Sequence, residues 1–295
     1  MRLISLLPSA TEIVYALGLG DDLVGVTFEC DEPASARADK AVVIGGMDTR
    51  GMTPAAIDAH VRAQLASGAD LYTLDAATVA ALRPDLILTQ DLCRVCAVPS
   101  GQVDEALGVL GCQADVLSLD PYSLAEVLGT ILAVGQRAGA ADAADRLVGA
   151  LRGRLASVAE RVAGRPRPRV AVIEWVDPPF TAGHWVPDLV TAAGGEPVAA
   201  RPGGRSAQTT WAEVAAAAPD LVLVAPCGFH LDGAATQAGA VVAALPGVPV
   251  WAIDADGLVV RPGPRLVTGV EAIAAVLHPG AAAAAPAGAV RLIAP

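Results

Sequence analysis

Five cysteines are spread over the 295 residues, and four of them follow apolar runs that read as strands. Cys30 comes after "LVGVTFE", Cys93 and Cys96 form a C-x-x-C after "LILTQ", and Cys227 follows "LVLVAP". Thiolates are soft ligands for cobalt, iron, copper or zinc, so Cys30, Cys93, Cys96 and Cys227 make one candidate metal set. A C-x-x-C can also run dithiol exchange, which wants its first cysteine at a helix N-terminus. Here Pro99 and Ser100 separate the pair from the helix that follows. A closed zinc site usually shows a second C-x-x-C or a histidine pair, and the chain has neither. The remaining reading is that these thiols are pocket walls. Cys112, in "LGCQADV", precedes a strand and reads as a small buried hydrophobe.

The same strand ends collect other polar and aromatic groups. Glu29 and Asp31 flank Cys30, and Glu174 and Trp175 end the run "RVAVIEW". Phe180, His184 and Trp185 follow in "DPPFTAGHW", while Phe229 and His230 come directly after Cys227. Open α/β sheets bind ligands outside the carboxyl ends of their strands, so this clustering marks a binding face. Arg261, in "RPGPR", is a candidate for holding an anionic group of a ligand. Catalysis has little support. No G-x-S-x-G, P-loop or strand–G-x-G-x-x-G–helix occurs, and only four histidines are present. The Gly-rich "RPGGRS" reads as a turn, and the chain is expected not to be an enzyme.

The elements that must position these residues alternate. "RLISLL" (2–7) reads as a buried strand, with Ser9 and Glu12 as a capping box opening the next helix. "LVGVTF" (23–28), "AVVIGG", "LILTQ" (86–90) and "ADVLSLD" (114–120) are further strands. Helices lie between them over 54–67, after Asp75, and after Ser100, which reads as a cap. The region 123–163 is helical with a Gly break near 139, and its second part would be about 36 Å long. A new series then runs from "RVAVIEW" (169–175) through "DLVLVAP" (220–226) and "VPVWAI" to a last helix over 264–277. The segments "AALRPDLILTQDLC" and "AAAAPDLVLVAPC" share the form helix–(x)PD–strand–loop–Cys, an internal echo. The expectation is α/β: two doubly wound parallel-sheet lobes joined by a long backbone helix. Their bounds are 1–121, a helical linker over 122–166, and 167–278. The Ala/Pro/Gly tail 279–295 reads as disordered.

Composition sets limits. With 54% hydrophobic residues the chain can bury sizeable cores, and a net charge of −11 excludes a nucleic-acid partner. No apolar run is long enough to insert in a membrane. The N-terminus shows no export signal, so the expected location is cytoplasmic, or periplasmic or extracellular if the true start lies upstream.

"LISLLPSATEIVYALGLGDDLVGVTFECDEP", "LRPDLIL", "EWVDPPFTAGHWVPDLVTAAGGEPV" and "RPGPRLVTGVEAIAAVLHP" resemble the vitamin B12 and ferric-siderophore class of substrate-binding proteins, over about residues 2–278. The resemblance implies two α/β lobes on a rigid backbone helix with a ligand cleft between them. It also implies binding of a metal-containing small molecule, cobalamin first, without catalysis and with no cofactor required. Phe180 matches an aromatic that faces corrin in exported B12 binders. Glu29, Gln90 and Ser206 stand where that pattern has aromatics. Exported members dock on an ABC permease through one surface acid per lobe. The matching positions here are Ala77 and Ala212, with Glu213 adjacent, which leaves a permease partner open. "DLCRVCAV" resembles a signal-less branch described as cobalamin-binding. The resulting expectation is a corrinoid binder. Trp175, Phe180 and Trp185 would face the ligand, Glu29, Asp31 and Glu174 would accept hydrogen bonds, and the thiols or His184 would reach the metal. A thiolate metal or redox protein, and an ABC-transporter binding protein for iron-siderophore or haem, are the alternatives.

Overall fold

Short runs of β-branched and leucine residues bounded by turn residues become strands, and the alanine-rich stretches between them become helices. The computed structural model describes the chain except Asp48, Arg50, residues 93–97 and 111–112, and the side chains of Asp104, Ala106, Val109 and Leu110. The described residues fall into two units, Met1–Asp120 with Leu128–Val148, and Pro121–Val127 with Gly149–Pro295.

The first unit contains β1 (Leu3–Ser5), α1 (Pro8–Ala16), β2 (Leu23–Thr27), α2 (Ala34–Asp39) and β3 (Ala41–Gly46). It continues with α3 (Pro54–Ser67), β4 (Tyr72–Leu74), α4 (Ala76–Leu82), β5 (Leu86–Thr89), α5 (Ser100–Leu110) and β6 (Asp115–Ser118). The strand order is β4-β3-β2-β1-β5-β6, and all pairs are parallel except β3–β4. The chain leaves β1 toward β2 and β3 on one side and reaches β5 and β6 on the other, a doubly wound plan. Ile4, Val43, Ile87 and Val103 meet in its core.

Two expected caps differ. Pro8 begins α1, its fixed φ suiting the first helical position, so Ser9 and Glu12 lie inside the helix and are buried. Ser100 is the first residue of α5 and donates from its backbone N and Oγ to the Asp91 carboxylate, at 2.8 and 2.7 Å.

Gly139, at φ +73°, separates α6 (Leu124–Arg137) from α7 (Ala141–Val162), as its freedom in the left-handed region allows. The division between units falls within α7. The second unit then contains β7 (Arg169–Val176), β8 (Pro179–Thr181), α8 (Val186–Ala192), β9 (Glu196–Val198), β10 (Ala207–Gln208) and α9 (Trp211–Ala216). β11 (Leu221–Val224), α10 (Leu231–Ala244), β12 (Val250–Ile253), α11 (Ala255–Leu258), α12 (Leu266–Leu277) and β13 (Val290–Ala294) complete it. The order is β10-β8-β7-β11-β12-β13, with β9 also on β7. β7, β9, β11 and β12 pair in parallel, whereas β8 pairs antiparallel with both β7 and the edge strand β10, and β13 is an antiparallel edge on β12. Each sheet is therefore mixed.

The tail corrects its expectation of disorder. Val290–Ala294 pairs along β12, and Ile293 and Ala294 pack on the core of Ile173, Val222, Val241 and Val250. A strand edge that offers unpaired backbone groups, met by a segment with apolar residues, outweighs the low complexity of the residues before it.

The internal echo has a physical basis. Arg83 and Ala218 end their helices in the left-handed region, at φ 45° and 44°, and each is followed by Pro-Asp. The Asp85 carboxylate accepts from Arg2 N at 2.7 Å, and Asp85 N donates to Arg2 O at 2.8 Å. Asp220 repeats this with Arg169, accepting at 2.7 Å and donating at 2.7 Å. The arginine side chains close the motif, Arg2 Nε donating to Leu82 O and Arg169 Nε to Ala218 O. Both clamps align a first strand with its parallel neighbour from the amino end. Asp85→Ala and Asp220→Ala are each expected to lower stability by about 1–2 kcal/mol in urea denaturation, as lost charged-acceptor hydrogen bonds do. Unchanged midpoints would show that the clamps are decorative.

Candidate functional site

In the second unit the parallel order β7-β11-β12 sets three loops side by side at the carboxyl edge, with the β11 loop in the middle. β9 lies on one side of β7 and β11 on the other, so this edge is a topological switch point, where open α/β sheets bind ligands. Trp175, near the end of β7, and Phe229, after β11, are both half-buried, and their ring centroids lie 5.9 Å apart at 50°. Phe180 stands beside Trp175 in the β7–β8 register. The Trp175 indole N–H donates to Asp177 O at 3.1 Å, which orients the ring.

The β11 loop is braced from beneath. Cys227 N donates to Glu174 O at 3.2 Å, and Gly228, at φ +84°, donates from its N to Asp256 Oδ1 at 2.9 Å. Asp256 N returns a bond to Phe229 O at 3.2 Å. Arg261 pairs with Asp256 Oδ2 at 3.1 Å, both side chains being only about a tenth exposed, 11% and 10%. Arg261 thus holds the carboxylate that holds the loop. One residue on, His230 Nδ1 lies 2.8 Å from Asp254 Oδ1, which also accepts from Gly257 N at 3.2 Å. Sequence reasoning noticed His230 only as a neighbour of Cys227, because its carboxylate partner lies on the next strand's end.

A second loop packs on β8. Gly183 N donates to Glu174 Oε1 at 3.0 Å, and a Cβ on Gly183 would sit 2.1 Å from Ser206 N, so only glycine admits the 201–206 turn. His184, at φ 50°, donates from its N to Gly204 O at 2.5 Å and accepts from Gly203 N at 3.1 Å. Its ring lies 5.6 Å from Tyr122 and 5.7 Å from Trp185. Its Nε2 is buried with no hydrogen-bond partner among the described residues. Burial first, and Arg205 second, hold its pKa below the ordinary 6.5. Trp185 corrects its expectation: it is buried, and its indole N–H donates to Val259 O at 2.8 Å, so it anchors the unit instead of facing a ligand.

In the first unit Cys30 is also a correction. It has no exposed surface, and its thiol lies 3.1 Å from Thr11 Oγ1 and 3.4 Å from Thr27 Oγ1, inside a hydroxyl cluster that includes Ser5. A small residue at the end of a buried strand is drawn inward by hydroxyl partners; it is neither a pocket wall nor an accessible ligand. Glu29 and Asp31, on either side, are partly exposed, and Gln90 is buried. Cys93 and Cys96 lie outside the described residues, as does Cys112. Cys227 is exposed. Among the described residues no group of three or more His, Cys, Asp or Glu is placed to hold a metal ion.

The chain belongs to the periplasmic binding protein family, whose model matches residues 3–252. It is 26% identical over 291 residues to the ABC transporter substrate-binding lipoprotein YvrC of Bacillus subtilis, covering 94% of this chain and 80% of that one. Its fold is that of the periplasmic vitamin B12 binding protein BtuF of Vibrio cholerae (TM-score 0.68, 24% identity, 94% of this chain and 96% of that one). It is also that of a periplasmic heme binding protein from Pseudomonas aeruginosa (TM-score 0.72, 22% identity, 100% and 98%). The protein is a non-catalytic substrate-binding protein, carrying a ligand and requiring no cofactor for chemistry. The cytoplasmic expectation is overturned: the family is periplasmic and the relative is a lipoprotein, which points outside the cytoplasm. Among the described residues no helix is long and apolar enough to cross a membrane.

Two predictions follow the geometry of the cysteines and of His184. Iodoacetamide under native conditions, read by peptide mass mapping, is expected to modify Cys227 and spare Cys30 until urea is added. Rapid native labelling of Cys30 would contradict its enclosure. His184 is neutral in the fold, while the unfolded chain takes up its proton near 6.5. The unfolded state therefore binds more protons below that value, and stability contributed by His184 is lost as pH falls below about 6.5. Urea midpoints measured from about pH 7.5 to 5.5 should fall less in His184→Asn, which tolerates the left-handed backbone, than in the parent. Parallel curves would exclude His184 as the source.

Proposed function

We propose that the protein binds a metal-bearing planar complex, a corrinoid first, on the carboxyl edge of the second unit's sheet. The observation that carries this reading is the aromatic group of Trp175, Phe229 and Phe180, stiffened by the Glu174 backbone and the Asp256–Arg261 pair. Half-buried aromatic faces with few rotatable bonds suit a large, flat, apolar ligand body, at little cost in side-chain entropy. Relatives of the same fold named for vitamin B12 and heme support the ligand class, and YvrC supports delivery to an ABC permease. Glu174, Cys227 and His184, all of the second unit, are proposed as polar partners for the ligand's periphery.

Calorimetric titration with cyanocobalamin, hemin and a ferric hydroxamate siderophore tests the reading and ranks the ligands. Trp175→Ala and Phe229→Ala are each expected to weaken binding at least about tenfold, the scale of a lost aromatic anchor. The reading fails if the parent binds none of the three, or if both variants bind as the parent does.

A further inference from the structure

The backbone of His184 is tied down on both sides, while its imidazole is left without a buried partner. It sits in the left-handed region, at φ 50°, and bonds in both directions to one turn, His184 N to Gly204 O at 2.5 Å and Gly203 N to His184 O at 3.1 Å. The turn is closed by Gly204 N on Arg201 O at 3.0 Å and tied to β8's end by Arg201 N on Ala182 O at 2.9 Å. Tyr122 and Trp185 flank the ring, and both are anchored, Tyr122 N on Glu126 Oε2 at 2.5 Å and the Trp185 indole on Val259 O at 2.8 Å. Nε2 is buried with no hydrogen-bond partner among the described residues. Protonation puts an N–H on both ring nitrogens, so Nε2 would become a charged donor with nothing in place to accept from it. The carboxylates on the surrounding elements are committed elsewhere. Glu174 Oε1 accepts from Gly183 N at 3.0 Å, Asp188 Oδ2 from Leu124 N at 2.9 Å, and Glu126 Oε2 from Ser123 N at 3.1 Å, while Asp256 pairs with Arg261 at 3.1 Å. The turn itself brings two exposed guanidiniums, Arg201 and Arg205, and Arg205 opposes charge on the ring.

We propose that His184 is a proton switch on the 201–206 turn: in acid its charged imidazole drives the turn off Gly183, loosens β10 from β8 and weakens ligand binding. The closed turn has no slack to absorb the change. A Cβ on Gly183 would lie 2.1 Å from Ser206 N and 2.6 Å from Arg205 C, so the two backbones touch and the ring can reach water only if the turn lifts. What lifts with it is a strand. Ser206 Oγ donates to Thr181 O at 2.8 Å, Ala207 pairs with Thr181 and Gln208 with Phe180, and Thr209 N donates to Pro179 O at 2.9 Å. β10 therefore seats Phe180, a member of the aromatic group proposed to face the ligand. The coupling to ligand rests on that functional reading; the opening of the turn does not. The closed form keeps His184 neutral and the open form lets it protonate near its ordinary value, so acid favours opening. One proton is involved, which limits the effect to about tenfold per pH unit.

The test uses the full chain without ligand, followed by hydrogen exchange of the 201–208 backbone at pH 7.5 and 5.5. Parent and His184→Asn are compared at each pH, so that the intrinsic pH dependence of exchange cancels. The ratio of parent to variant is expected to rise in acid by several-fold, and by no more than about tenfold. Arg205→Gln, an exposed change that keeps His184 and the fold, should open less in acid than the parent because one opposing charge is gone. Calorimetry with cyanocobalamin, whose phosphodiester stays ionised throughout, then reads the coupling. The parent's affinity should fall between pH 7.5 and 5.5, and that of His184→Asn should stay level. A parent-to-variant exchange ratio that does not change with pH overturns the switch. Affinity that holds or rises in acid while the turn opens overturns its coupling to the ligand. Failure of the parent to bind cyanocobalamin counts against the functional reading, and the exchange measurement still decides the switch.

Discussion

In each unit the strand that starts the sheet is joined at its amino end to the strand after a Pro-Asp turn, by an aspartate that both gives and receives a main-chain hydrogen bond. Arg2 with Asp85 and Arg169 with Asp220 are the two instances. A one-residue slip in a parallel pair would turn every side chain to the other face, so aligning β1 with β5 and β7 with β11 decides which residues emerge at the opposite edge. What lies at the carboxyl edge of the second sheet, Trp175, Phe229 and the loop between them, follows from that alignment. The left-handed residue before each proline, Arg83 or Ala218, lets the helix stop and the chain reverse within the space of the turn.

The edge proposed to bind the ligand is organised by charges spent on its own loops. Asp256 holds the β11 loop through Gly228 and is held by Arg261; Glu174 holds Gly183 and, through its carbonyl, Cys227. These groups spend their hydrogen-bonding capacity on loop backbone, which otherwise would have to be ordered when a ligand arrives. Ordering in advance removes that entropy from the binding step, which suits a carrier whose task is affinity and not turnover. The 201–206 turn comes so close to Gly183 that no side chain fits at position 183, while Gly203 supplies the left-handed backbone, at φ +65°, that turns the chain.

Residue type alone did not separate roles among the cysteines or tryptophans. Cys30 and Cys227 both follow strands, yet one is enclosed by Thr11 and Thr27 and the other is open to solvent. Trp175 and Trp185 are ten positions apart; one is half-buried at the edge and the other donates into the core at Val259. The difference lies in what the neighbouring elements offer: hydroxyls beside one thiol, a carbonyl beneath one indole. His230 shows the converse, gaining its distinction from Asp254 across a strand boundary.

Local patterns determined much on their own. Alternation of apolar runs with alanine-rich stretches placed β3, α3, β5, β7 and β11 within a residue or two, because burial on both faces demands continuous Val, Leu and Ile. Gly139 marked the break between the long helices, and the repeated Pro-Asp motif marked the two units, since backbone geometry there is dictated by one or two residues. The short antiparallel strands β8, β10 and β13, the sealing of Cys30 and Trp185, and the pairing of His230 with Asp254 were decided only in three dimensions. Each depends on a partner distant in the chain, and hydrogen bonds between distant residues leave no periodicity for a sequence to display.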